Sequence, residues 1–93
     1  MKISQLAQRL RDSKYVITRL QDDSGVLLNS DELLVFTLNE TGLFLLESIE
    51  EGKVATEAEL VTLLTGEFEV TESQAQQDVR EFIAELSDAL GST

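Results

Sequence analysis

Leu33-Leu34-Val35-Phe36-Thr37-Leu38-Asn39-Glu40-Thr41-Gly42 is where this chain changes its period. Before Asn39 the apolar residues fill both faces of an extended run. Leu34, Phe36 and Leu38 alternate on one face, Leu33 and Val35 on the other. After it they recur at helical spacing, in Leu43, Phe44, Leu45, Leu46 and Ile49. Asn39 is a good helix N-cap, because its short side-chain oxygen can accept a first-turn N–H. A strand therefore hands over to a helix at this point. In a two-layer domain only one face of a strand meets the core. The second apolar face of 33–38 needs its own cover, from a helix, another chain or a ligand. Alternatively the strand is central or covered, and its apolar residues are ordinary core.

Two further strand-like runs precede it. Tyr15-Val16-Ile17-Thr18-Arg19-Leu20 is rich in β-branched residues, and Val26-Leu27-Leu28 is a shorter run. Gln21-Asp22-Asp23-Ser24-Gly25 and Asn29-Ser30-Asp31-Glu32 carry turn residues between the runs. Two tight connections in a row predict an antiparallel meander. Residues 1–13 form a basic amphipathic segment, with Ile3, Leu6, Ala7 and Leu10 on one helical stripe. At about two turns it is too short to hold alone, so it either docks or frays.

Three helices follow the strands. The first closes near Glu50-Glu51-Gly52. The second opens on Thr56-Glu57-Ala58-Glu59 and the third on Thr71-Glu72-Ser73-Gln74, both with the pattern of a capping box. The third presents Ala75, Val79, Phe82, Ile83, Leu86 and Leu90 as one broad stripe. Strands followed by helices predict an α+β fold, a three-stranded antiparallel sheet with helices on one face. Residues 91–93 are a short tail.

The 93 residues suit one domain, and a hydrophobic fraction of 42% suits a packed one. There is no proline and there are only five glycines, so linkers and low-complexity arms are not expected. The absence of cysteine points to a cytoplasmic setting and excludes thiol chemistry and cysteine-held zinc. Met1-Lys2-Ile3-Ser4-Gln5 has no apolar run after it and does not read as a signal peptide. No stretch approaches the ~20 apolar residues of a membrane span.

Charge is divided along the chain. Residues 1–20 carry a net +4, and residues 21–93 a net −15, for a total of −11. The acidic body repels a phosphate backbone, so nucleic acid is not an expected partner. It is either a solvated surface or an attraction for a basic partner.

Catalytic groups are scarce. There is no His, the usual acid–base residue near neutral pH, and no Cys nucleophile. Asp22-Asp23 and Glu50-Glu51 are the candidate carboxylate pairs, but both sit where turns or helix ends are expected. The glycines are too far apart for a phosphate loop, and no calcium-loop pattern occurs. Neither a cofactor nor a metal is implied, and an enzyme is not expected. Binding is better provided for. An apolar edge strand offers unpaired N–H and C=O groups to which an extended peptide can add.

Val26-Leu27-Leu28-Asn29-Ser30-Asp31-Glu32-Leu33-Leu34-Val35-Phe36, then Leu38-Asn39-Glu40-Thr41-Gly42, resembles the PqqD-like family of peptide chaperones, the RiPP recognition elements. Asp78-Val79-Arg80-Glu81-Phe82-Ile83-Ala84-Glu85-Leu86 in the third helix is similar too. With the first strand included, the resemblance covers residues 14–90. It implies a winged-helix-like fold that binds the leader of a ribosomally made precursor peptide. The leader lies beside the third strand, against the third helix, and is presented to a modifying enzyme, often a radical SAM enzyme. Synthesis of pyrroloquinoline quinone is one role within a family that serves many peptide products. Carried onto this chain, the peptide-binding residues are Leu33, Leu34, Val35, Phe36 and Thr37 on one wall, and Val79, Arg80 and Ile83 on the other. Arg80 either meets an acidic leader or is a solvated helix residue.

Three rival readings are weighed against this. A DNA-binding winged helix needs a cationic recognition helix, and the third helix has one base and five acids. An acyl carrier needs a serine opening a helix, and Asp23-Ser24 lies in a turn between strands. A generic adaptor or structural subunit with the same fold shares the groove but takes a folded partner. A strand edge this apolar also allows self-pairing, so the chain is expected as a monomer or a dimer.

Overall fold

The computed structural model describes residues 2–12, 14–31 and 33–90, with Leu34 represented by its backbone alone. Glu32 and the tail 91–93 lie outside the described residues. The elements are α1 (Ile3–Leu10), β1 (Tyr15–Arg19), β2 (Gly25–Asn29), β3 (Leu34–Leu38), α2 (Glu40–Glu50), α3 (Glu57–Glu67) and α4 (Glu72–Ala89). The expected meander of three strands followed by three helices is present, preceded by α1.

Docking, not fraying, is the outcome for α1. Ile3, Leu6, Ala7 and Leu10 are all buried in the common core. The Arg9 side chain donates to the carbonyl of Leu90 at 2.8 Å. The first helix is thereby tied to the end of the last, eighty-one positions away. A two-turn helix is stable here because tertiary burial supplies what its length does not.

The strands are antiparallel in the order β1-β2-β3. Tyr15 pairs with Asn29 and Arg19 with Gly25, while Gly25 pairs with Leu38 and Asn29 with Leu34. Asp23 takes a left-handed conformation, φ 66°, in the first turn, which short polar side chains tolerate. The second turn places Leu33 at φ 55°, where a leucine is strained. Gly25 is required by close approach. A Cβ there would lie 2.7 Å from Leu43 Cδ1 and 3.1 Å from the Thr18 carbonyl oxygen. Its absence lets α2 settle on β2.

The helix starts follow the local sequence. Asn39 Oδ1 accepts the Gly42 N–H at 2.7 Å. Thr56 Oγ1 accepts from Glu59 N at 3.2 Å, and Thr71 Oγ1 from Gln74 N at 3.1 Å. The reciprocal half of the expected box at Thr71 is not made, because Gln74 Nε2 turns forward to Asp78 Oδ1 at 2.8 Å. At the end of α2, Gly52 takes φ 76° and its N–H returns to the Ile49 carbonyl at 3.1 Å. The helices bury Leu43, Leu46, Ile49, Leu60, Val79 and Leu86 against one another. Phe44 and Phe68 meet edge to face at 5.5 Å. No helix among the described residues is long and apolar enough to cross a membrane.

Candidate functional site

Antiparallel strands alternate between residue pairs that exchange main-chain hydrogen bonds and pairs that do not. Two bonds beyond the strand ends fix which is which. Leu20 N donates to the Ser24 carbonyl at 2.8 Å, and Ser30 N to the Lys14 carbonyl at 2.9 Å. In the same register, Thr18 with Val26 and Val16 with Leu28 are therefore bonded pairs. The groups of Gly25, Leu27 and Asn29 then face β3, where they meet Leu38, Phe36 and Leu34. What remains on β3 are the N–H and C=O groups of Val35 and Thr37. They point away from the sheet, and no main-chain partner is present among the described residues.

The side chains follow the same alternation on the other axis. Phe36 and Leu38 face the helices, Phe36 half-buried and Leu38 buried. Val35 and Thr37 face outward and are exposed. Val35 continues an outer row with Leu28 and Val16, which are 55%, 36% and 46% exposed. Edge strands are usually blunted by a charge, a proline or a bulge. β1 carries Arg19, whose guanidinium is paired with Asp23 and Glu47. Leu34–Leu38 contains no charge and no proline. Both edges carry open main-chain groups, and β3 is the one without a charged side chain. The reading of 33–38 as a central or fully covered strand does not hold.

At the C-terminal end of this edge lies a cleft of about 240 Å³. It is lined by Asn39, Thr41, Gly42 and Leu45 from the start of α2, and by Asp78, Glu81, Phe82 and Glu85 from α4. The α4 residues have i, i+3, i+4, i+7 spacing and so share one helix face. Gln77 Nε2 donates to Glu81 Oε1 at 3.2 Å, the same forward contact that Gln74 makes to Asp78.

The residues expected from sequence divide in two. Leu33, Val35, Phe36 and Thr37 lie along the open strand, Leu33 82% exposed, and Leu34 contributes its backbone to β3. Val79, Arg80 and Ile83 are rotated roughly a third of a turn or more from the α4 face that lines this cleft. Val79 is fully buried in the core. Arg80 is exposed and shares a cleft with Glu57, Glu72 and Gln76, between α3 and α4. Ile83 borders a depression with Ile3 and Thr56. The structure does not bring these three to β3. Asp78, Glu81, Phe82 and Glu85 line the cleft at the start of α2 instead. Their helical spacing around Phe82 is visible in sequence, but which side of the stripe meets the sheet is not.

Two surface groups have shifted acidities, both in turns away from this edge. Asp22 is held below the ordinary carboxylate range by the hydroxyl and N–H of Ser24. Lys53 is raised by its hydrogen bond and ion pair with Glu51 at 2.9 Å. Among the described residues no group of three or more His, Cys, Asp or Glu is placed to hold a metal ion.

Comparison with known proteins agrees with this fold. The family model described as coenzyme PQQ synthesis protein D (PqqD) matches residues 24–89. A solved structure, TbiB1 in complex with the TbiA(beta) leader peptide, is 26% identical with a TM-score of 0.70, over 83% of this chain and 86% of that one. Lasso peptide synthetase B1 complexed with the leader peptide is 21% identical with a TM-score of 0.68, over 82% and 86%, and shares the fold. No curated protein matches the chain. With the family model spanning β2 through α4, the chain belongs to the PqqD family.

Proposed function

We propose that this chain is a non-catalytic carrier that binds the leader of a ribosomally made precursor peptide as a fourth strand beside β3. It then presents the peptide to a modifying enzyme, a radical SAM enzyme or another peptide-modifying one. The observation that carries this reading is the pair of outward-facing main-chain sites at Val35 and Thr37, on an edge without protecting charges. A similar solved protein, TbiB1, holds a leader peptide. Main-chain pairing supplies affinity, and the side chains beneath the added strand supply selectivity. The chain has neither His nor Cys to do chemistry on what it holds. A cytoplasmic site of action suits the absence of cysteine. An empty β3 edge also allows two copies to pair, so the free chain is a monomer or a dimer.

A generic adaptor is the second reading. It is favoured by the outer row of Val16, Leu28 and Val35, which suits a folded apolar surface. Amide-resolved NMR separates the two. The probe is a synthetic TbiA(beta) leader peptide, the one held by the similar TbiB1. Strand addition protects the amides of Val35 and Thr37 from exchange and leaves Phe36 as it was. It changes little with salt, because backbone pairing is not an ionic contact. Val35→Asp weakens binding while the helical circular dichroism stays. Shifts confined to the outer row, with no protection at Val35 or Thr37, refute strand addition and favour the adaptor.

A further inference from the structure

We infer that two copies of this chain pair through β1, edge to edge and antiparallel, about a two-fold axis at Thr18. The register of the sheet supplies the main-chain half of the contact. Val16 and Thr18 bond to Leu28 and Val26, so the N–H and C=O groups of Ile17 and Arg19 point off the β1 edge. Tyr15 differs, because its N–H is held by the Asp12 carbonyl at 3.0 Å. A two-fold at Thr18 sets Ile17 opposite Arg19 of the second copy, and Arg19 opposite Ile17 of the second copy. Both become bonded pairs, and Thr18 meets its own copy as the close, unbonded pair between them.

The side chains of residues 14–22 complement themselves about the same centre. Val16 and Thr18 are exposed on the outer face, and Leu20 is next in that alternation. Val16 is 46% exposed and Leu20 45%, large for apolar side chains on a free surface. The axis sets each Val16 against Leu20 of the second copy, on either side of the Thr18 pair, so apolar meets apolar and hydroxyl meets hydroxyl. Lys14 falls opposite the turn that carries Asp22 of the second copy. Neither Lys14 nor Asp22 takes part in an ion pair among the described residues, so opposite charges close both ends of the contact. Arg19 does not guard this edge. Its guanidinium lies with Asp23 and Glu47 of its own chain, and the axis sets it against an isoleucine, not a second arginine. Residues 14–20 hold two bases and no acid in a chain of net charge −11, so two acidic molecules meet here without acid facing acid. β3 lacks such a complement. A two-fold at Phe36 brings the acidic flanks Asp31 and Glu40 of two copies together, with no base in Leu34–Leu38 to meet them. Pairing through β1 continues the row of Thr37, Val26 and Thr18 across the joined sheet and leaves β3 free at each end of it. It stands independently of strand addition at β3.

The chain has no cysteine, so single-cysteine cross-linking of the full chain reads the register directly. An unbonded antiparallel pair holds its Cα atoms about 4.5 Å apart, within disulfide range. Oxidised with glutathione disulfide, Thr18→Cys is expected to form a covalent dimer about tenfold faster than Val16→Cys or Leu20→Cys alone, whose copies lie apart along the strands. An equimolar mixture of Val16→Cys and Leu20→Cys cross-links as fast as Thr18→Cys, because the axis sets the two opposite each other. Sedimentation of the parent chain from ~10 µM to ~1 mM is expected to show a weak, reversible dimer, the class of so small an interface. Thr18→Glu and Thr18→Lys are each expected as monomers, since the axis sets like charges side by side, and mixing the two restores the dimer. Rescue by mixing excludes misfolding as the cause. A parent chain that stays monomeric at the highest concentration overturns the inference. So does cross-linking of Thr18→Cys no faster than that of Val16→Cys alone, which is the rate of random collision. Faster cross-linking of a Val35→Cys and Thr37→Cys mixture also overturns it, and moves the contact to β3.

Discussion

Val35 and Leu28 are neighbours in one exposed row, yet their N–H groups have opposite fates, and proline substitution separates them. The Leu28 N–H bonds to Val16 across β1–β2, whereas the Val35 N–H points off the edge of the sheet. Both side chains are at least a third exposed, at 36% and 55%, so little packing is lost at either position. Leu28→Pro deletes a ladder bond in the central strand and sets the ring against β1, which costs about 3 kcal/mol or more. Val35→Pro deletes no bond within the protein and is tolerated at an edge, so it costs about 1 kcal/mol or less. The expected difference of roughly 2 kcal/mol corresponds to roughly 8–16 °C in melting temperature for a domain of this size. Thermal and urea melts followed by circular dichroism read it directly, with equal m-values showing that both variants unfold from the same fold. Equal destabilisation by the two prolines would refute the register, and with it the assignment of Val35 and Thr37 as the open main-chain sites. The same Val35→Pro variant should bind no strand, because its ring occupies the line along which a fourth strand approaches.

Leu33→Gly is expected to stabilise the chain by roughly 1 kcal/mol or a little less, since a leucine at φ 55° is strained and its 82% exposed side chain contributes little packing; a melting temperature that falls would mean Leu33 packs on something. Phe82→Ala should cost about 3–5 kcal/mol, because Phe82 is 7% exposed and packs in the core beside the cleft; a urea midpoint within ~1 kcal/mol of the parent would place it at the surface.

Much of this architecture is local in origin and was legible in order of residues. Asn39, Thr56 and Thr71 cap the helices where their side chains suggest, and the two turn sequences set the meander. The alternation of 33–38 showed that the strand has two apolar faces. The fate of the second face was decided by which strands lie beside it. Edge position depends on the order β1-β2-β3, and a sequence does not state what fails to pair with a strand. The hydrogen-bond direction of Val35 and Thr37 is legible only once the register is known, because a slip of one residue exchanges every bonded for every open position.

The last helix shows the same division. Periodicity makes α4 amphipathic and puts Val79, Phe82, Ile83 and Leu86 on its buried stripe. A stripe has two flanks, and its period is blind to which one a neighbour takes. Packing against α3 on one flank left Asp78, Glu81 and Glu85 on the other, beside the start of α2, and placed Arg80 on the α3 side. The sequence by itself determined the elements, their order and their inward faces, because propensity, capping and periodicity act over a few residues. The open edge, its register and the acidic wall were decided by tertiary structure, because each depends on where separate elements come to lie against one another.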